Sequence, residues 1–180
     1  MKFRRLLLLT AFLFSFTPYT AEDIAINYSY TGNHGVDLSG MRNSLQIGEF
    51  TDARGIDNSR LITADYQAEE ALPAIIRDAL IQGFENGKAR LVESDGDMSI
   101  AGRLLSSELQ MVERDGVESI QLTMRTNVQL QRSGRTIWET TLFGRGVVPA
   151  SEGLIAAVHA GLDRMIRELV NDNYFLLEIE

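Results

Sequence analysis

The amino-acid sequence predicts an α+β fold, a two-layer sandwich in which two amphipathic helices cover one face of a mainly antiparallel sheet. Three observations support this prediction: two stretches with apolar residues at helical spacing, one stretch in which apolar and polar residues alternate strictly, and two glycine-containing turns between strand-like segments. Each amphipathic helix needs an apolar surface to cover, and a sheet with one polar face offers that surface on its other side.

Two short strands are expected before the first helix. Residues 24–30 (IAINYSY) alternate in the manner of a half-buried strand, and residues 45–50 (LQIGEF) contain a second one. Residues 31–43 between them are rich in glycine and asparagine, which predicts a loop. The polar residues 51–59 predict another loop.

The first helix is expected over residues 68–84, where apolar residues recur three and four positions apart. Asp65 is a candidate N-cap residue. Pro73 is tolerated in the first turn if the helix begins near Glu70, whereas a beginning at Asp65 predicts a kink.

The next three segments predict a meander. Its strands are expected over residues 98–113, 120–130 and 136–148, of which the second alternates strictly between apolar and polar residues. The dipeptides Asp115-Gly116 and Ser133-Gly134 supply hairpin turns at the two junctions. The polar positions of the alternation predict one solvated face.

A second helix is expected from Ser151 until residues 171–173, with Leu162 at the centre of its apolar stripe. The short apolar tail, residues 174–180, either docks on the core or adds an edge strand. The sequence shows no internal repeat and no linker, so residues 22–180 are expected to form a single α+β domain.

The N-terminus has the layout of a secretory signal peptide. Lys2, Arg4 and Arg5 precede an apolar run over residues 6–16, which is too short to span a membrane. Ala21 is the best small residue for cleavage, so residues 1–21 are expected to be removed. The alternatives are a buried N-terminal helix and a retained anchor.

Composition limits the compartment and the partners. The chain has no cysteine, so it carries neither a disulfide nor the cysteine that anchors a bacterial lipoprotein, and we expect a periplasmic protein without a lipid. Its 17 Lys and Arg against 25 Asp and Glu give a net charge of −8. No basic cluster follows the leader, which argues against binding to nucleic acid. We expect no transmembrane helix in the mature chain.

The order of the elements and several short motifs resemble the YajG-like family of bacterial envelope lipoproteins. The resemblance covers about residues 45–173 and rests on Phe50, Asp52 and Arg54, on Leu80, Gly83 and Phe84, and on the final helix around Leu162 to Leu169. It implies an envelope protein with no catalytic residues to carry over, although this chain lacks the family's lipid-bearing cysteine. Auxiliary lipoproteins of ABC-type lipid transporters share a similar layout.

Asp52 and Arg54 are the candidate binding residues. They lie two positions apart in an expected loop and could form a charged hook for a partner or a small anion. In the alternative interpretation Asp52 accepts hydrogen bonds from nearby backbone amides as an Asx-turn, with Arg54 exposed or paired to it, and the turn is exposed.

Other chemical signals are weak. Glu93, Asp95 and Asp97 alternate around a glycine, but the oxygen ligands that a calcium loop needs do not follow, so a solvated turn is expected. His34 and His159 are the only histidines, and no nucleophile or phosphate-binding motif accompanies them. We expect no catalytic residues, no metal and no cofactor.

These observations predict an exported, non-catalytic envelope protein that serves as a binding or accessory module for a protein or lipidic partner. The alternative is a periplasmic hydrolase whose site combines scattered acids with His34. A pocket that joins His34 to two carboxylates would favour the hydrolase, and dispersed groups would favour the binding module.

Overall fold

The computed structural model describes residues 20–179, so residues 1–19 of the predicted leader, which spans residues 1–21, lie outside the described chain. The prediction of an α+β fold is confirmed. The elements in chain order are β1 (Glu22–Ile24), β2 (Leu45–Asp52), β3 (Tyr66–Ala68), α1 (Leu72–Asn86), β4 (Leu91–Val92), β5 (Met98–Arg114), β6 (Val117–Arg132), β7 (Arg135–Pro149), α2 (Gly153–Val170) and α3 (Asn173–Ile179). A single 3₁₀ turn, Ala150–Glu152, leads into α2.

The main sheet has five strands in the order β4-β2-β5-β6-β7 and is mixed. Strand β2 runs parallel to both β4 and β5, whereas β5, β6 and β7 are antiparallel neighbours. The prediction of a mainly antiparallel sheet therefore holds for the meander and is wrong on the β2 side. The cause is α1, which carries the chain back across the sheet after β2 so that the next strands enter in the same direction.

The predicted meander is present, and its strands are slightly longer than expected. The turn residues Asp115 and Gly116 have φ angles of 53° and 77°, and Ser133 and Gly134 have 51° and 75°. Two consecutive positive φ angles define the tight hairpin turn that matches the twist of antiparallel strands.

Helices α1 and α2 pack against each other and cover the same face of the sheet, α1 over β2 and α2 over β7. Leu162 is fully buried at the centre of α2, as the apolar stripe predicts. Helix α2 approaches β7 unusually closely, because glycines occupy the contact. A Cβ atom built on Gly146 would lie 2.0 Å from the carbonyl oxygen of Ala157, and one on Gly161 would lie 3.0 Å from the carbonyl oxygen of Gly144.

Helix α1 begins later than expected. Its N-cap is Ala71, so the prediction of Asp65 as N-cap is wrong. The residues after Asp65 instead form β3, which pairs in parallel with β1 as a separate two-stranded sheet. Pro73 consequently lies in the first turn of α1, where its missing amide hydrogen is not needed.

The strand predicted over residues 24–30 is wrong beyond Ile24. Asn27 has a positive φ of 39°, which breaks the extended ladder. Residues 25–41 instead form an irregular segment, here called the strap, that runs along α1 and α2. The strap is held by side chains: the Ile26 amide donates to both carboxylate oxygens of Glu69 at 2.9 Å, and the Tyr30 amide donates to Gln82 at 2.7 Å.

The apolar tail forms α3 and docks on the core, so the edge-strand alternative is wrong. Phe175 is fully buried, with its ring centroid 5.9 Å from that of Phe84 and 5.0 Å from that of Trp138. No helix within residues 20–179 has both the length and the apolar character that crossing a membrane requires.

Helix side chains satisfy backbone groups at both edges of the main sheet. Strand β4 pairs only with Leu45 and Gln46, so the rest of β2 forms the edge on this side. There Arg77 of α1 donates to the carbonyl oxygens of Gly48 at 2.9 Å and Ile47 at 3.0 Å. On the β7 edge, the Phe143 amide donates to the Glu168 carboxylate of α2 at 3.4 Å. These contacts occupy groups that would otherwise pair with a foreign strand.

Candidate functional site

Asp52 and Arg54 form an ion pair where β2 ends. The Arg54 amide donates to Asp52 Oδ1 at 3.0 Å, which makes the Asx-turn, and the guanidinium donates to Oδ1 at 2.9 Å and to Oδ2 at 2.6 Å. The geometry is that of a bidentate arginine-carboxylate pair, which fixes orientation as well as charge.

The remaining donors of Arg54 hold the following loop. They bond the carbonyl oxygens of Leu61 and Ser59, and the side chains of Arg54 and Asp52 are only 8% and 11% exposed. The expectation of an exposed turn is therefore wrong, because the loop folds back over the pair. Burial alone would raise the pKa of the Asp52 carboxyl, but the hydrogen bonds and charge of Arg54 outweigh burial and lower it below its ordinary value.

A mainly apolar groove of about 410 Å³, here called the loop groove, lies between this loop and β5. Ser107 Oγ donates to the carbonyl oxygen of Ile62 at 2.7 Å and joins its two walls. Ser106 Oγ is buried there and has no hydrogen-bond partner among residues 20–179. The groove is lined by Arg54, Ile56, Leu61, Ile62, Thr63, Ala64, Leu105, Ser106 and Ser107.

Replacing Asp52 with alanine should lower the free energy of unfolding by about 1–3 kcal/mol, because it leaves the shielded Arg54 charge without its acceptor. Chemical denaturation at neutral pH measures this difference. Asp57→Ala, an exposed change in the same loop, is the control and should be nearly neutral.

The same pair predicts a pH dependence. Since the folded-state pKa of Asp52 is depressed, its stabilisation is complete above the unfolded-state pKa and is lost as the pH falls through the folded-state pKa. The difference in stability between the parent and Asp52→Ala should shrink over that acidic range. A difference that stays constant with pH would show that the carboxylate charge contributes nothing.

A second polar cluster joins the strap to α2. The Tyr28 hydroxyl donates to Asp163 at 2.6 Å, and His159 Nε2 bonds the Ile26 carbonyl oxygen while its ring meets that of Tyr28 edge-on. Burial, and then the hydrogen bond to Asp163, raise the pKa of Tyr28 above its ordinary value. His159 therefore serves as an anchor for the strap.

His34 is likewise engaged by the backbone. Its Nε2 lies 3.0 Å from the Gly83 carbonyl oxygen and its Nδ1 accepts from the Val36 amide at 3.2 Å, which assigns the proton to Nε2. No carboxylate partner of His34 occurs in the described chain. The arrangement does not bring together the histidine and the two acids that the hydrolase alternative requires.

The acidic turn around Asp95 is a structural feature. Asp97 accepts hydrogen bonds from both the amide and the hydroxyl of Ser44 at 2.8 Å, and Asp95 takes a positive φ of 55°. No group of three or more potential metal ligands occurs within residues 20–179.

Sequence reasoning missed the residues that hold the strap and the sheet edges. Glu69 and Asp163 contact residues 43 and 135 positions away, and Arg77 contacts Gly48 across the helix-sheet boundary. Each looks like an ordinary polar residue on the solvated face of a helix, so periodicity offered no signal for these long-range contacts.

The fold defines a class of α+β proteins with a curled sheet and helices on one face, and it occurs in known structures. A protein from Xanthomonas campestris of the family DUF330 is similar, with a TM-score of 0.58 and 17% identity over 88% of this chain and 95% of that chain. At this identity the likeness shows the fold alone.

Two further structures are similar at a lower level. A hypothetical protein from Chlamydia trachomatis has a TM-score of 0.48 and 12% identity over 71% of this chain and 93% of that chain. A minor lipoprotein from Acinetobacter baumannii has a TM-score of 0.45 and 11% identity over 71% and 88%. No family model matches the sequence, and no curated protein matches it.

Proposed function

We propose that this chain is an exported, non-catalytic envelope protein that binds a protein or lipidic partner in the loop groove. The observation that carries the proposal is the groove itself, because it is open and mainly apolar, with Ile56 at its rim 41% exposed. An apolar cleft with a few polar groups is the usual form of a site for an acyl chain or an apolar side chain.

Asp52 and Arg54 contribute to this site by positioning it. The pair holds the loop that carries Ile56 and Leu61, and all of its strong hydrogen bonds are internal. The unpartnered Ser106 hydroxyl supplies the polar contact for a ligand headgroup or a backbone amide. In this proposal Asp52 and Arg54 do not bind a partner directly through their charges. They hold in place the loop that lines an apolar site.

The leader and the resemblance to YajG-like envelope lipoproteins support the proposed compartment. A basic segment and a short apolar run favour export, and the absence of cysteine from the sequence favours a periplasmic form without a lipid anchor. The shared fold with the DUF330 protein agrees with the architecture that the resemblance implies.

Filling the loop groove tests the proposal. Leu105→Trp should weaken binding of a twelve-carbon fatty acid by about tenfold, because the larger indole fills part of the groove. If the partner is a protein, capture of envelope proteins by photo-crosslinking should fall by a similar factor. Leu177→Trp, an equal enlargement at a 69% exposed site on α3, should bind like the parent. Thermal unfolding checks that both variants fold.

Two results would contradict the proposal. Binding that Leu105→Trp leaves unchanged would place the partner elsewhere. Hydrolysis of an ester by the purified protein that disappears in His34→Ala, but persists in Leu105→Trp, would support the hydrolase alternative.

A further inference from the structure

The face of the main sheet turned away from the helices, here called the open face, adjoins the loop groove at Ser106, which pairs with Arg125. In each long strand the residues that alternate with the buried ones point to it, since neighbouring side chains in a strand lie on opposite faces. Arg125, for example, is exposed between the buried residues Met124 and Thr126. Helices α1 and α2 pack on the opposite face.

Three arginines form a straight diagonal across the open face. Arg103 of β5 lies opposite Asn127, and Arg145 of β7 lies opposite Thr123, so each is displaced by two residues, in opposite directions, from Arg125 of β6. Diagonal neighbours of this kind are about 7–8 Å apart between adjacent strands. All three side chains are exposed.

These arginines retain most of their hydrogen-bonding capacity. Arg103 makes one contact, 3.3 Å to Asn127 Oδ1, and Arg125 lies over the Phe143 ring at 5.5 Å from its centroid. Within residues 20–179, none of the three forms an ion pair, whereas Arg54, Arg60, Arg77 and Arg164 each do. Asn127 accepts this bond from Arg103 and also donates its own side-chain amide to Glu139 at 2.8 Å. It therefore links Arg103 to the carboxylate of Glu139 without a direct ion pair.

We infer that the diagonal Arg103, Arg125 and Arg145 binds an extended acidic segment of a partner protein, with carboxylates at alternate positions. Alternate side chains of an extended chain lie on one side and are about 7 Å apart, which matches the spacing of the arginines. Guanidinium groups bind carboxylates in a bidentate manner, and the Phe143 ring holds one of them in place.

The charge of the whole molecule makes the diagonal specific. A net charge of −8 repels acidic partners in general, so an acidic segment is attracted only where positive side chains are concentrated. The negative charge of the protein also repels an anionic membrane. A membrane surface is wide, so it would meet the acidic side chains around the arginines as well as the arginines themselves. A single extended strand contacts the diagonal alone, and the peptide is therefore favoured over the membrane.

The test uses protein expressed from the complete sequence and a synthetic peptide of alternating glutamate and threonine, titrated at low ionic strength. Substituting all three diagonal arginines with glutamine should weaken binding at least about tenfold, because three charge-assisted contacts are lost. The matched control replaces Arg42, Arg114 and Arg135 with glutamine, which are exposed and off the diagonal. It changes the net charge equally and should bind within about twofold of the parent.

A peptide of the same composition with its glutamates in one block, and vesicles of phosphatidylglycerol, complete the experiment. Weaker binding of the block peptide supports the inference, because it shows that the spacing of the carboxylates is recognised. Equal losses in both triple variants, equal binding of both peptides, or binding of the vesicles without the alternating peptide would each overturn it. These results are independent of fatty-acid binding in the loop groove, so the two proposals fail separately.

Discussion

Gly146→Ala should destabilise the protein by about 3 kcal/mol or more, because the added methyl group has no space between β7 and α2. Its carbon would lie 2.0 Å from the carbonyl oxygen of Ala157 and 2.8 Å from the amide nitrogen of Gly161, which are both backbone atoms of a helix. A flexible side chain could turn aside, but a helix backbone has to move as a unit. Urea unfolding followed by circular dichroism measures the loss.

Gly40→Ala is the control for this substitution. A Cβ atom at Gly40 meets nothing within 4 Å, and its backbone is not in the left-handed region, so the free energy of unfolding should change by no more than about 0.5 kcal/mol. If Gly146→Ala unfolds at the same urea concentration as the parent, the close packing of α2 on β7 is incorrect.

Leu162→Ala should lower the free energy of unfolding by about 2–5 kcal/mol, since it removes buried methyl groups and leaves a cavity. Leu162 is fully buried in the middle of α2, the helix that packs both on the sheet and on α1. The free energy of unfolding of a native protein is typically about 5–15 kcal/mol in total, and the sequence has no cysteine with which a disulfide could compensate. The urea midpoint should fall visibly while the slope of the transition remains unchanged.

Ile155→Ala in the same helix removes the same number of carbon atoms from a side chain that is 40% exposed. It should cost far less than Leu162→Ala, because much of the side chain already contacts water. The predicted apolar stripe of this helix includes Ile155, but the structure leaves Ile155 partly exposed. Similar losses for the two variants would show that Leu162 is no more deeply packed than Ile155.

The sequence was informative wherever local patterns decide the structure. The meander follows from alternation and from two turn dipeptides, and α2 follows from an apolar stripe centred on Leu162. The sequence predicts β2 as a strand but does not predict its direction relative to β5. A run such as LQIGEF has the same pattern in a parallel and in an antiparallel sheet. Only the crossover through α1 determines that direction.

The strap and the interior of the site depend on contacts between distant positions. Residues 25–30 of the strap look like a half-buried strand, but the amides of Ile26 and Tyr30 bond Glu69 and Gln82 instead of another strand. Asp52 and Arg54 were identified as a pair, and the geometry confirms the Asx-turn. Their burial was not predicted, because it depends on the carbonyl groups of Ser59 and Leu61 folding back over them.

The edge contacts of Arg77 and Glu168 connect the unfolding of this protein to its solubility. Both side chains belong to helices, so any opening that lifts α1 and α2 from the sheet also uncovers the backbone of β2 and β7. The uncovered edges of the strands could then pair with strands of other molecules. Heating is therefore expected to end in irreversible precipitation, so that the lifetime of the protein is set by the rate at which its helix layer detaches.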